Sequence, residues 1–463
     1  MDKSTSLLVE LALDTNYASL RPEVVHECKR HLIDTLGCAM GAFDDPLCVE
    51  MRDFAAQYGT PAQATLWGTA TRCTSEMAAF ANGVMLRFQD FNDTFFGATD
   101  GGHPSDITAA ILAAAETVRA DGRSVLAALA AGYEAYCRVV QSVPVADRNF
   151  DQVVNANIAA AIAVGKLLKL SREQLGHAIS LAVAPNFALR QTRQGQLSQW
   201  KGCAAAKASR DALFATALAA RGVTGPSDVF EGTQGFWSVT GKHDWVAPSE
   251  WRNATMIGST YIKGFAVCYH AQAGAEAAIE LFGRLKGREI QSVDVETYAD
   301  AHRIIGGDPT RWAPKSRETA DHSMPFTVAT CLVHGDLTAD SFDESRLDEP
   351  AVATLMARIS VREDPALTAL YPGAAPTRVT VKTTSGENLT KEVIYPKGHP
   401  KAPMTDREVE AKFRKLAGNR DGSDDCSELL ETLWQIDSAS DVGGALMPKL
   451  AANRARRILA VAS

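Results

Sequence analysis

The chain has 463 residues, 46% hydrophobic and 22% charged, enough apolar material for a large core and long enough for two domains. Its formal charge is -8, which disfavours nucleic-acid phosphates and anionic membranes as partners. An anionic substrate would need a local positive focus inside an acidic protein.

The N-terminal run Met1-Asp2-Lys3-Ser4-Thr5-Ser6 lacks the basic-then-apolar pattern of a secretion signal, and no stretch nears eighteen uninterrupted apolar residues. The reading is therefore a cytoplasmic protein without a membrane span. Nine cysteines are scattered without any C-x-x-C pair. That spacing predicts no disulfide framework, no structural zinc and no cysteine-held iron–sulfur cluster. No cofactor and no metal are expected.

From Leu7 to about Ala220 the pattern is helical and alanine-rich. Pro22 starts a helix through Val25, Cys28, Leu32, Ile33 and Leu36, with apolar residues recurring at three and four. Pro104-Ser105-Asp106 opens another through Ile107, Ile111 and Leu112. Ser171-Arg172-Glu173-Gln174 and Thr405-Asp406-Arg407-Glu408 are capping boxes. Beyond about Lys263 the character changes: Ser292–Thr297, Arg358–Val361, Arg378–Thr383 and Leu389–Val393 alternate like strands, the last two flanking a hairpin signal at Thr384–Asn388. Ala329–Val333 reads as buried helix, and Leu450–Ala460 as an amphipathic tail packed on the bundle. The predicted fold is mainly α: a large all-helical domain over residues 1–265 and 404–463, and a smaller α+β lid domain over 266–403.

Four segments hold the candidate chemistry. In the first, Asp90, Asp93, Thr94 and His103 fall within fourteen residues around a glycine-containing loop. Pro104 places His103 at a helix start, where the dipole disfavours imidazolium and attracts a carboxylate. His103, oriented by Asp90 or Asp93, is then a candidate base; a plain capping loop is the competing reading. In the second, Arg190, Arg193 and Lys201 stand in apolar surroundings as candidate carboxylate ligands, against a solvated loop. In the third, Lys263, His270 and Gln272 fall near the domain junction, with Cys268 read as packing. In the fourth, Ser316–Phe326, His322 is either a site residue or a cap.

Taken together these segments resemble the MmgE/PrpD family. The marks are Asp90-Phe91-Asn92-Asp93-Thr94 with Gly102-His103-Pro104-Ser105-Asp106, Leu197–Gly202, Arg317–Phe326, Val223–Pro226 and Tyr395–Pro400. The resemblance implies a helical domain with a small α+β lid, a homodimer, no metal, and a lyase acting on a small polycarboxylate such as 2-methylcitrate. It carries site roles onto Asp90, Thr94, His103, Lys201, Lys263 and His270. Epimerisation or decarboxylation of a related polycarboxylate, and non-catalytic carboxylate binding, are the alternatives. The sequence departs from the family pattern in three places. Asp151 follows Phe150 where the decarboxylase branch carries His, Phe326 replaces a common Tyr, and Ala266-Val267-Cys268 replaces a P-A-E run. A carboxylate at Asp151 is expected to repel a polyanion by about 1 kcal/mol or more at close range. In the expected reaction a proton α to a carboxylate is removed and a β-hydroxyl leaves. Lys201, Lys263 and Arg193 would act as the fixed cations that stabilise the developing dianionic carboxylate, with His270 or Thr94 assisting the departing group.

Overall fold

The computed structural model describes residues 1–97, 101–241, 253–418 and 426–462, with side chains as far as Asn453. The middle of the glycine-containing loop, 98–100, and the side chains of the amphipathic tail beyond Asn453 lie outside the described residues.

The chain is mainly helical, with a smaller α+β part. Two hydrophobic cores account for most of the interior. The first gathers apolar side chains from Leu8 to Ile262 and again from Met404 to Leu450. Its centre is the helix Val153–Leu167, whose residues are buried on almost every face, as expected of a helix apolar all round. Around it pack the helices Gly122–Ser142, Thr108–Val118, Arg172–Val183 and Trp200–Ala220. Alanine and glycine let these axes approach closely. A Cβ on Gly83, in the helix Ser75–Phe88, would lie 2.9 Å from the Ala206 Cβ of Trp200–Ala220. Both capping boxes form, at Ser171 and at Thr405.

Four two-residue strands interrupt the helical part. β1 (Ala64–Thr65) pairs with β2 (Arg72–Cys73), and β3 (Phe95–Phe96) with β4 (Gly101–Gly102), both antiparallel. The second core, from Val267 to Val393, is built on β5 (Ile290–Thr297), β6 (Ile359–Glu363), β7 (Thr377–Thr383) and β8 (Asn388–Val393). Their order is β6-β5-β7-β8, parallel between β5 and β6 and antiparallel elsewhere. Val293, Val295, Val379 and Val381 turn inward onto the helices Gln272–Leu285 and Met324–His334. The other face carries charge: Arg378 meets Glu296, Glu392 and Asp364. One solvated face and one covered face is the usual arrangement for such a sheet.

Backbone and buried charge fix the chain where the helical part gives way to the other. Thr94 and Tyr261 exchange backbone hydrogen bonds of 3.0 and 2.8 Å. Lys412, on the returning helix Asp406–Ala417, pairs with Asp34 at 2.6 Å and donates to the carbonyls of Phe91 and Lys263. The turn at Tyr395–Pro400 closes against the same place, with Gly398 at φ +94° and no room for a Cβ, which would stand 1.7 Å from the Ile262 carbonyl oxygen. Gly398→Ala is therefore expected to lower stability by about 2 kcal/mol or more, from left-handed strain and overpacking together. Denaturant melts of the two proteins measure it; an unchanged midpoint contradicts the close approach.

Candidate active site

One pocket opens where the two cores meet. Its wall takes Thr94, His103 and Arg190 from the helical part, and Cys268, His270 and His322 from the other. Behind this wall lies a buried ion cluster centred on Asp90.

Asp90 follows the last turn of Ser75–Phe88 in the left-handed region, φ +49°. Its carboxylate pairs with Arg87 three residues earlier, with Lys263 Nζ at 2.9 Å and with Lys201 Nζ at 3.5 Å. Burial works against its charge, yet Arg87, Lys201 and Lys263 outweigh that and hold it well below the usual carboxylate range. Lys201 also spans both oxygens of Asp321 at 2.9 and 3.1 Å. Three cations thus face Asp90 and Asp321, with Asp106, 3.8 Å from Arg87 Nε and raised to about 7 by burial, as a third carboxyl group beneath the pocket.

The imidazoles are correspondingly neutral. His103 is N-cap of the turn Pro104–Ile107, which runs into the helix Thr108–Val118. Its Nδ1 is 2.6 Å from the Asp93 carbonyl and its Nε2 is 2.8 Å from Arg87. Burial, then Arg87 and Lys263, push it well below the ordinary histidine value. His270 sits on Tyr298 and His322 on Asp321. Burial brings each down to about 4, helped for His322 by Lys201.

Seven of the residues singled out from sequence line this pocket: Asp90, Thr94, His103, Arg190, Arg193, His270 and His322. Four expectations about them and their neighbours need correction. The Asp93 carboxylate does not face His103; it binds His31 Nδ1 at 3.0 Å and the Ser105 amide at 3.0 Å, orienting His103 through its backbone carbonyl only. Gln272 is not a ligand residue, because its oxygen accepts from Gly264 and Phe265 and its amide donates to Phe265 and Val267. Lys201 and Lys263 do not stand alone as fixed cations: they are partners of Asp90 and Asp321. Arg193 is tied to both oxygens of Asp151, at 2.9 and 3.2 Å. Asp151 is therefore neutralised, and the repulsion expected of it does not operate.

Sequence reasoning missed Arg87 and the pairing role of Asp321. Arg87 stands in the last turn of a helix; its i,i+3 spacing from Asp90 was the available signal. Arg303 and Tyr371, also in the wall, gave none. The ligand atoms of Asp90, Cys268 and His322 lie within 4.8 Å of one another, yet this set suits a divalent cation poorly. Asp90 already faces three cations, and burial with Asp90 pushes the Cys268 thiol up to about 11, so it keeps its proton.

Models of the MmgE/PrpD N-terminal and C-terminal domains match residues 6–248 and 265–436. The chain belongs to the MmgE/PrpD family. Among its relatives, 2-methylcitrate dehydratase of Cupriavidus necator is 32% identical over 80% of each chain. That of Salmonella typhimurium is 28% identical over 81% of this chain and 82% of its own. A 2-methylcitrate dehydratase-like protein of Aspergillus oryzae is 27% identical over 98% and 97%. The family placement makes this a member of a dehydratase family.

Because Lys201 spans both oxygens of the buried Asp321, Lys201→Met strands that carboxylate, while Asp90 keeps Arg87 and Lys263. The expected loss is about 3–5 kcal/mol of stability, the usual result of breaking a buried pair, and adding Asp321→Asn recovers part of it. A double-mutant cycle by denaturant unfolding measures the coupling; additive losses contradict the pairing.

Proposed function

We propose that the protein dehydrates a small hydroxy-polycarboxylate such as 2-methylcitrate. A base takes the proton α to a carboxylate, the carbanion is stabilised as the dianionic carboxylate, and a β-hydroxyl leaves as water. The proton removed from carbon is the one the departing hydroxide needs, so the reaction is redox-neutral and calls for no co-reactant. No cofactor or metal is part of this reading.

The observation that carries it is the conjunction of three neutral imidazoles with the cationic side chains of Arg87, Arg190 and Arg303 in one pocket. Proton abstraction next to a carboxylate needs an unprotonated acceptor and fixed positive charge where the negative charge grows. Arg190 has no side-chain partner among the described residues, and Arg303 is held only by Asp300. Both offer guanidinium donors to a carboxylate at the pocket mouth. The names of the relatives support this substrate class. Deprotonation also begins epimerisation, and decarboxylation generates a carbanion too, so these remain outcomes of the assay.

The test is direct. Purified protein is offered 2-methylcitrate, citrate, cis-aconitate and iminodisuccinate, and products are followed by NMR. Formation of the unsaturated tricarboxylate from a hydroxy acid, undiminished by EDTA, is the expected result. Epimerised iminodisuccinate or itaconate as main product replaces the dehydration reading, and loss of activity on chelation removes its cofactor-free part.

Arg190→Ala should raise KM by about tenfold with kcat little changed. It removes one charge-assisted contact, worth roughly 1.5 kcal/mol, made to ground and transition states alike. Steady-state kinetics decide; an unchanged KM takes Arg190 out of substrate binding.

A further inference from the structure

Hydrogen-bond direction separates the three imidazoles. A carbonyl oxygen can only accept, so His103 Nδ1, 2.6 Å from the Asp93 carbonyl, carries that ring's proton. A guanidinium can only donate, so the lone pair of His103 Nε2, 2.8 Å from Arg87 Nη2, is already engaged. Neither nitrogen of His103 is open to a proton from substrate.

His322 is arranged the other way. Its Nδ1 is 2.5 Å from Asp321 Oδ1, a carboxylate held ionised by Lys201, so Nδ1 carries the proton and donates it. Its Nε2 has no hydrogen-bond donor on it among the described residues, and the ring lines the pocket. Asp90 Oδ2 lies 3.6 Å from Nε2. That is too long for a hydrogen bond, but close enough to stabilise a positive ring.

His270 is different again. Its Nδ1 meets the hydroxyl of the fully buried Tyr298, whose proton has no other acceptor among the described residues. A buried hydroxyl proton with no acceptor is costly, so the hydroxyl donates to Nδ1 and the ring proton stays on Nε2. His270 is then a donor toward the pocket, not a base.

We propose that His322, positioned by Asp321, is the base, and that His103 is not. This rests on the reading that the site deprotonates carbon α to a carboxylate. In the step, the C–H bond breaks, an N–H bond forms at His322 Nε2, and the electron pair stays on the carbon, delocalised into its carboxylate. The imidazolium so formed stands between Asp321 and Asp90. Lys201 and burial keep the ring neutral while the pocket is empty; a polyanionic substrate offsets that positive charge and strengthens the base on binding.

The experiment uses the full chain and begins with the wild type on the substrate panel. If no substrate is deprotonated or dehydrated, the functional reading fails irrespective of His322. Given turnover, His322→Gln should lower kcat by two to four orders of magnitude with KM within about threefold, and added imidazole should restore part of the rate. His103→Gln should act mainly on KM, with kcat within about tenfold. Should His322→Gln not fold, Asp321→Asn reads the same dyad, with kcat down at least tenfold and KM little changed. The proposal is overturned if His322→Gln keeps kcat within tenfold, if Asp321→Asn keeps it within threefold, or if the large, imidazole-rescued loss belongs to His103→Gln.

Discussion

Everything in the pocket depends on one buried carboxylate. Asp90 is almost wholly shielded from water and holds Arg87, Lys201 and Lys263 about it. An isolated carboxylate in such a place would take up a proton or stay in water. Three cations reverse that preference, and each cation has the same difficulty without Asp90. Since the cations arrive on three different segments, satisfying them fixes the end of Ser75–Phe88, the start of Trp200–Ala220 and the loop at Lys263 in one place. The left-handed backbone at Asp90 is part of the same arrangement: a residue at φ +49° costs free energy and is retained because the ion cluster over-determines it.

The cluster also reconciles an acidic protein with a polyanionic ligand. The chain carries a formal charge of -8, but Arg87, Lys201 and Lys263 gather where the cores meet. The same charge that attracts a carboxylate suppresses imidazolium in His103 and His322. Attraction and basicity are thus coupled: a ligand that supplies negative charge cancels the suppression locally. Lys412 serves this geometry without touching the pocket. It joins the carbonyls of Phe91 and Lys263, the neighbours of Asp90 in sequence and in space, and its own charge is balanced by Asp34.

Much of the fold was legible because it is written in local chemistry. Ser171 and Thr405 start helices as their spacing required, and Val379 and Val381 alternate inward as a half-covered strand must. The site segments were legible as unusual concentrations of polar residues in alanine-rich surroundings. Their pairings were not. Nothing near Arg193 says that Asp151, forty-two residues away, occupies its guanidinium, and nothing near Lys201 says that it belongs to Asp321. Gln272 was a candidate only through its place near the expected domain junction, and both its hydrogen-bonding ends are taken. The folded chain uses both on the backbone of 264–267. A polar side chain inside a protein is claimed by whichever partner the packing brings, and sequence spacing reports only partners within a turn or so.

The distinction between scaffold and reacting group follows from the same accounting applied to single nitrogen atoms. His103 stands in the most conspicuous motif of the chain, yet both its nitrogens are committed, one to a carbonyl and one to a guanidinium. It helps hold Arg87 toward Asp90 and closes the turn before Pro104. His322 stands in a segment that sequence reading left open between site and cap, and its free nitrogen is what a proton acceptor requires. Asp321 serves two partners at once, fixing the ring of His322 and anchoring Lys201. Removing its charge would loosen the base and unbalance the cluster together, which ties the reactive group to the ion network that assembles the pocket.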